Sequence, residues 1–201
     1  MTPKLFFTVG ADGRAVVTHA RPYAELDPED RAHQMAADVA TDYLARWGDD
    51  AVIDWFAGQN GFHYLFDSNP AGATDFSRPA NRVLAAWGTS NPENRIGDRR
   101  LLRRFPLPVR NRSLDRGHLI ALASGGGENV NLVPQASRLN QGRSDQGRRW
   151  RSLERYCAST AGAFIFITVL YNDLSDIPSS FLYGIEGPGR PWSIDRFDNL
   201  D

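Results

Sequence analysis

The chain has 201 residues, 41% of them hydrophobic, and a formal net charge of −1. That length limits it to one sizeable core, or a core with a small appended element. No apolar run approaches the roughly 20 residues of a membrane helix, and Cys157, the single cysteine, excludes an intrachain disulfide framework and a Cys-based zinc cluster.

Charge is spread unevenly. Residues 91–156 carry 14 basic and 6 acidic side chains, whereas residues 1–90 carry 7 and 12 and residues 157–201 carry 2 and 6. Apart from Lys4 every basic side chain is an arginine, whose planar fork suits bidentate phosphate contacts. A basic centre between acidic flanks fits an anionic partner. The opening MTPKLFFTVG has no charged leader followed by a long apolar stretch, so a cleaved secretory signal is not expected. Synthesis in the cytoplasm is the corresponding expectation, with any export by a route needing no such signal.

In chain order, residues 4–22 predict a hairpin, with KLFFTV and RAVVTHA flanking the turn-forming GADG. ELDPEDRAHQMAADVATDYLARWG predicts a helix capped by Asp27, with Pro28 in its first turn and Met35, Val39, Tyr43 and Trp47 recurring on one face. DDAVIDWFAGQ reads as a second short helix, residues 58–80 as loop around the aromatic patch FHYLF, and PANRVLAAWG as another short helix. Pro106 and Pro108 argue against a continuous helix in the basic stretch 99–112. ENVNLVP predicts a strand, ASRLNQG a helical turn and RRWRSLERYCAS a helix burying Trp150, Leu153 and Cys157. AGAFIFITVLY and SFLYGIEG read as a closing strand pair. The whole predicts one compact α+β domain.

The segment 115–154 concentrates chemistry. Phosphodiester hydrolysis needs an activated water, charge relief at phosphoryl oxygens and protonation of the leaving oxygen. His118 can take a proton near pH 7. Asn131, Asn140 and Glu154 offer hard oxygens of the kind Mg2+ prefers, and several arginines can hold phosphate. Residue types alone leave the question open, because a lone histidine is more often structural than catalytic. SGGGEN lacks the following Lys-Ser/Thr of a phosphate-binding loop and reads as a hairpin connection. His19, His33 and His63 have no metal-ligand spacing.

Order and spacing add more. DRGHL, then NLVPQASRLNQG, then Trp150 with Glu154 four residues on, resembles the DNA/RNA non-specific endonucleases, the ββα-metal nucleases with a DRGH signature. The resemblance covers about residues 110–157. It implies a ββα-metal core with a mainly antiparallel sheet over residues 61–201, with 1–60 as a hairpin-and-helix extension or subdomain. It makes His118 the general base, Asn140 the ligand of one divalent ion (Mg2+, with Mn2+ the alternative), Asn131 a supporting active-site residue, and Glu154 a residue acting on the metal through water. Arg116 stands either on phosphate or in a fold-holding pair. Asp115, Gly117 and Trp150 are expected to support the structure. The family's upstream transition-state arginine has five candidates, Arg78, Arg82, Arg103, Arg104 and Arg110. Arg104 and Arg110, with Arg143, Arg148 and Arg149, are the expected contacts to nucleic acid.

The implied substrates are DNA and RNA, bound through the backbone. The resemblance to bacterial toxin-type members also suggests an antibacterial effector delivered by a specialised secretion system and bound by an acidic immunity or inhibitor protein. A housekeeping nuclease and a non-catalytic domain that binds nucleic acid or protein are the other readings. One departure stands out. A continuous helix would hold Asn140 and Glu154 about 21 Å apart, at 1.5 Å per residue. Residues 142–147, bounded by Gly142 and Gly147, are therefore expected to loop out and bring Glu154 back.

Overall fold

The computed structural model describes residues 7–9, 15–17, 21–47, 51–58, 60–68, 82–93, 113–127 and 129–199. The predicted first hairpin is present as β1 (Phe7–Val9) and β2 (Ala15–Val17), paired antiparallel. A single turn, α1 (Arg21–Ala24), leads to the long helix α2 (Pro28–Trp47). Asp27 caps α2: its Oδ1 accepts from the backbone N–H groups of Glu29 and Asp30 at 2.9 and 3.0 Å. The Asp30 and Glu29 N–H groups hold the Asp27 carboxyl below its usual range. Met35, Val39 and Tyr43 are buried, as the four-residue spacing predicts.

Three segments differ from their predicted state. DDAVIDWFAGQ holds strand β3 (Ile53–Ala57) rather than a helix, the HYLF of FHYLF lies in strand β4 (His63–Asp67), and PANRVLAAWG holds most of strand β5 (Arg82–Thr89) rather than a helix. Every β5 residue from Arg82 to Gly88 is buried. A strand covered on both faces loses the alternating pattern that distinguishes strand from helix. The closing pair is also a triplet: β8 (Phe164–Leu170) and β9 (Ser180–Gly187) are joined by β10 (Arg190–Asp198). These strands form a six-stranded antiparallel sheet in the order β10-β9-β8-β5-β4-β3. A boundary at residue 60 falls between the paired strands β3 and β4.

Side-chain alternation places helices on opposite faces of this sheet. On one face α2 sets Arg31 over Trp192 and Phe164, and His33 against Trp55. On the other, Trp150 meets Phe181, Tyr183 and Phe197 edge-on, with ring centroids 5.1–5.5 Å apart. Trp150 belongs to α4 (Asp145–Ser159), which follows a separate two-stranded hairpin, β6 (Leu114–His118) and β7 (Leu132–Ala136), and the short helix α3 (Ser137–Asn140). The fold is α+β with a mainly antiparallel sheet, and its hairpin-then-helix order agrees with the expected core. Asn199 fastens β7 to the end of β10, accepting from Ala136 N–H at 2.7 Å and donating to the Pro134 carbonyl at 3.1 Å.

Arg31 anchors α2. It is 1% exposed, donates to the carbonyls of Tyr23 and Leu26 at 2.5 and 2.6 Å, and pairs with Glu186. Arg31→Met should cost about 2–4 kcal/mol, because carbonyls and a carboxylate lose their donor while Glu186 regains some water. Urea unfolding measures this; a midpoint equal to wild type would show that α2 docks without the ion pair.

Candidate active site

The DRGH residues lie on β6, whose register sets Asp115 opposite Gln135, Gly117 opposite Val133 and His118 opposite Leu132. Alternation puts Asp115 and Gly117 on one side of the strand, and Arg116 with His118 on the other. Arg116 is exposed and His118 half-buried. Burial lowers the His118 pKa, so its imidazole is neutral and able to accept a proton near pH 7.

Gly117 is needed for a close side-chain contact. A Cβ there would sit 2.1 Å from Gln135 Oε1 and 2.5 Å from Gln135 Cβ. What crosses Gly117 is therefore the Gln135 side chain. Gln135 is 1% exposed, and its amide meets no partner among the described residues.

Beyond His118 the chain is clamped. Asn131, fully buried, accepts from Ile120 N–H at 2.8 Å and donates to Ile120 O at 2.7 Å, while its own carbonyl accepts from Leu119 N–H at 2.9 Å. Both ends of the Asn131 amide are thus committed to the backbone two residues after His118. Asn60, from the β3–β4 turn, donates to the Gly125 carbonyl in the following turn. Sequence reasoning missed Asn60 and Gln135, because only the tertiary fold brings either against the DRGH strand or the turn after it.

Asp115 gathers the start of the helical region. Its carboxylate accepts from Ser137 Oγ at 2.9 Å, Asn140 Nδ2 at 3.0 Å and Gln141 Nε2 at 2.7 Å. Burial, the largest single influence, opposes its ionisation. The Asn140, Gln141 and Ser137 donors together with Arg143 outweigh burial and hold the carboxyl below its usual range.

The interval after Asn140 does break the helix, over shorter bounds than 142–147. Gly142, at φ +69°, ends α3: its N–H reaches Leu139 O at 3.2 Å, and Arg143 N–H reaches Arg138 O at 2.8 Å. Ser144 then caps α4, accepting from Gly147 N–H at 3.0 Å. Gly147 lies inside the first turn of α4, where a Cβ would fall 2.4 Å from Arg138 O. It lets α4 fold back on α3 and does not bound the loop.

On α4, Trp150 Nε1 donates to Glu154 Oε1 at 2.9 Å. Burial raises the Glu154 pKa, opposed by the Trp150 bond and the Arg151 charge. Arg151 in turn donates to Gln141 O at 3.4 Å, and Gln141 donates to Asp115, so Arg151 is linked to Asp115 through Gln141. Arg148 pairs with Asp145, and Arg149 with Asp195 at 2.9 Å while lying over Phe197. Arg143, Arg148 and Arg149 are all exposed. Arg104 and Arg110, like Arg78 and Arg103, lie outside the described residues. Arg82 is 1% exposed and stacked between Trp47 and Tyr171, which removes it from the transition-state candidates. Cys157 is buried, as expected, and burial pushes its thiol up to about 11.

Among the described residues no three His, Cys, Asp or Glu side chains form a ready metal cluster. Asn140 would instead offer one amide oxygen, with the Glu154 carboxylate acting through water, an arrangement suited to a hard, largely hydrated cation. Asn140 fits that role: its nitrogen is bound to Asp115, and among the described residues no donor meets its oxygen.

Residues 107–186 match the family described as DNA/RNA non-specific endonuclease. Among solved structures the chain is similar to the crystal structure of NucA from Streptococcus agalactiae with magnesium ion bound, at 15% identity and a TM-score of 0.45, over 80% of this chain and 90% of that one. No curated protein matches. His118, the Asp115–Asn140 contact and Glu154 all fall inside the matched segment, so the resemblance to the DNA/RNA non-specific endonuclease family covers the candidate site.

Proposed function

We propose that the protein hydrolyses phosphodiester bonds in DNA and RNA, with little regard to sequence and with a divalent cation, Mg2+ or Mn2+. The supporting observation is the hydrogen-bonded frame joining the DRGH strand to Asn140, within the segment that matches the nuclease family. His118, kept neutral by burial, takes the proton of the attacking water. Asn131 holds the chain beside it and acts as a positioning residue. Arg116, exposed on the same side of β6, is the arginine assigned to a phosphoryl oxygen in this reading. Asn140 Oδ1 would hold the cation directly and the Glu154 carboxylate would hold it through water, and the cation when bound supplies charge relief at the phosphate. Trp150 keeps the Glu154 carboxylate aimed.

Arg143, Arg148, Arg149, Arg151 and Arg155 are exposed on α4 and the turn before it. Such contacts to the nucleic-acid backbone carry no base information, in keeping with low specificity. Digestion of supercoiled plasmid and of RNA, each with Mg2+, with Mn2+ and with EDTA, tests the reading. Both substrates should be cut with either metal and spared by EDTA. Intact substrates with either metal would favour a binding domain that keeps the fold.

A further inference from the structure

We infer that Asp115 sets the metal affinity of this site by deciding which end of the Asn140 amide faces the cation. The inference rests on the reading of Asn140 as a metal ligand. A primary amide has two ends of nearly equal shape and opposite chemistry. The nitrogen donates hydrogen bonds and cannot ligate a hard cation, whereas the oxygen can. An ionised carboxylate only accepts, so an amide facing it must present nitrogen. Asn140 Nδ2 lies 3.0 Å from Asp115 Oδ2, which turns Oδ1 away from Asp115.

The carboxylate is itself held in place. Gln141 Nε2 shares Oδ2 at 2.7 Å, and Ser137 Oγ takes Oδ1 at 2.9 Å. Ser137 is pinned in turn by its N–H on the Ser113 carbonyl at 2.7 Å. Asp115 is therefore a positioning residue, acting on the metal through Asn140. Loss of such a partner typically weakens metal binding 10- to 100-fold.

The test is direct binding of Mn2+, read by the electron paramagnetic resonance of the free ion, with folding checked by thermal melting. Asp115→Ala should weaken Mn2+ binding by about 10- to 100-fold. The double variant Asp115→Ala with Asn140→Asp should recover most of that loss, because both ends of residue 140 are then oxygen and orientation no longer matters. A purely structural role for Asp115 gives no such recovery. Wild-type affinity in Asp115→Ala, or a double variant as weak as the single one, overturns the inference. If Asp115→Ala fails to fold, Asp115→Asn serves: one amide cannot accept from all three donors, so weaker binding is expected and unchanged binding refutes it. A wild-type protein that binds no Mn2+ would instead remove the metal-site reading, and this inference with it.

Discussion

Replacing His118 by alanine will lower metal-dependent cleavage of DNA and RNA by about 10²- to 10⁴-fold, the usual contribution of a positioned general base. His118 ends β6, is half-buried, and is followed by the Asn131 clamp on Ile120. Truncation there removes the base and leaves the frame standing, so the circular dichroism of the variant should match wild type. The pH dependence carries the sharper signature. Burial disfavours the imidazolium, which moves the His118 pKa below 6.5. Only the neutral form accepts a proton, so wild-type kcat/KM should hold through pH 6.5 and decline at lower pH. His118→Ala should lack that limb.

The same shift has a linkage consequence. The unfolded chain binds the proton first as pH falls, so the His118 contribution to stability is present above pH 6.5 and is lost through the lowered pKa. The substitution should flatten that part of a stability-against-pH curve. Full metal-dependent activity in His118→Ala would end the assignment of this residue as the base.

Trp150→Ala will cost about 3–5 kcal/mol, the range for deleting a large aromatic from a packed interior. Trp150 is 0% exposed and sits edge-on to Phe181, Tyr183 and Phe197, so it joins α4 to the large sheet. Trp150→Phe separates packing from polarity. It keeps a ring among those neighbours but removes the Nε1–H that meets Glu154 Oε1 at 2.9 Å. That change should cost about 1–3 kcal/mol, because a half-buried carboxylate loses a donor. Burial already raises the Glu154 pKa, and losing the bond moves it further up. Activity of Trp150→Phe should consequently recover as pH rises and more of Glu154 ionises. Urea unfolding of the two variants, with their pH profiles, checks the pair. An alanine variant within 1 kcal/mol of wild type would contradict the role of Trp150 as the anchor of α4.

Some of this architecture was legible locally. Asp27 before Pro28, with the four-residue recurrence of Met35, Val39 and Tyr43, specifies α2 because capping and one-sided burial are both properties of a single segment. Gly142 was readable as a helix stop for a similar reason, since a positive φ favours glycine and the bonds it closes lie within five residues. The order of His118, Asn131, Asn140 and Glu154 carried the family resemblance, because the spacing of chemically constrained residues is readable along the chain.

The strands β3, β4 and β5 did not. Val83 to Trp87 is an unbroken apolar run, and its strand state comes from partners on both sides, β4 and β8, far apart in sequence. Gln135 across Gly117, Asn60 on Gly125 and the three donors on Asp115 were equally out of reach. The sequence by itself determined the chemical groups and their order along the chain. The tertiary structure alone decided which end of the Asn140 amide faces outward, how α4 folds back on α3, and that α2 covers the sheet face opposite α4. Hydrogen bonds and packing between distant segments have no period in the sequence; they exist only once those segments are brought together.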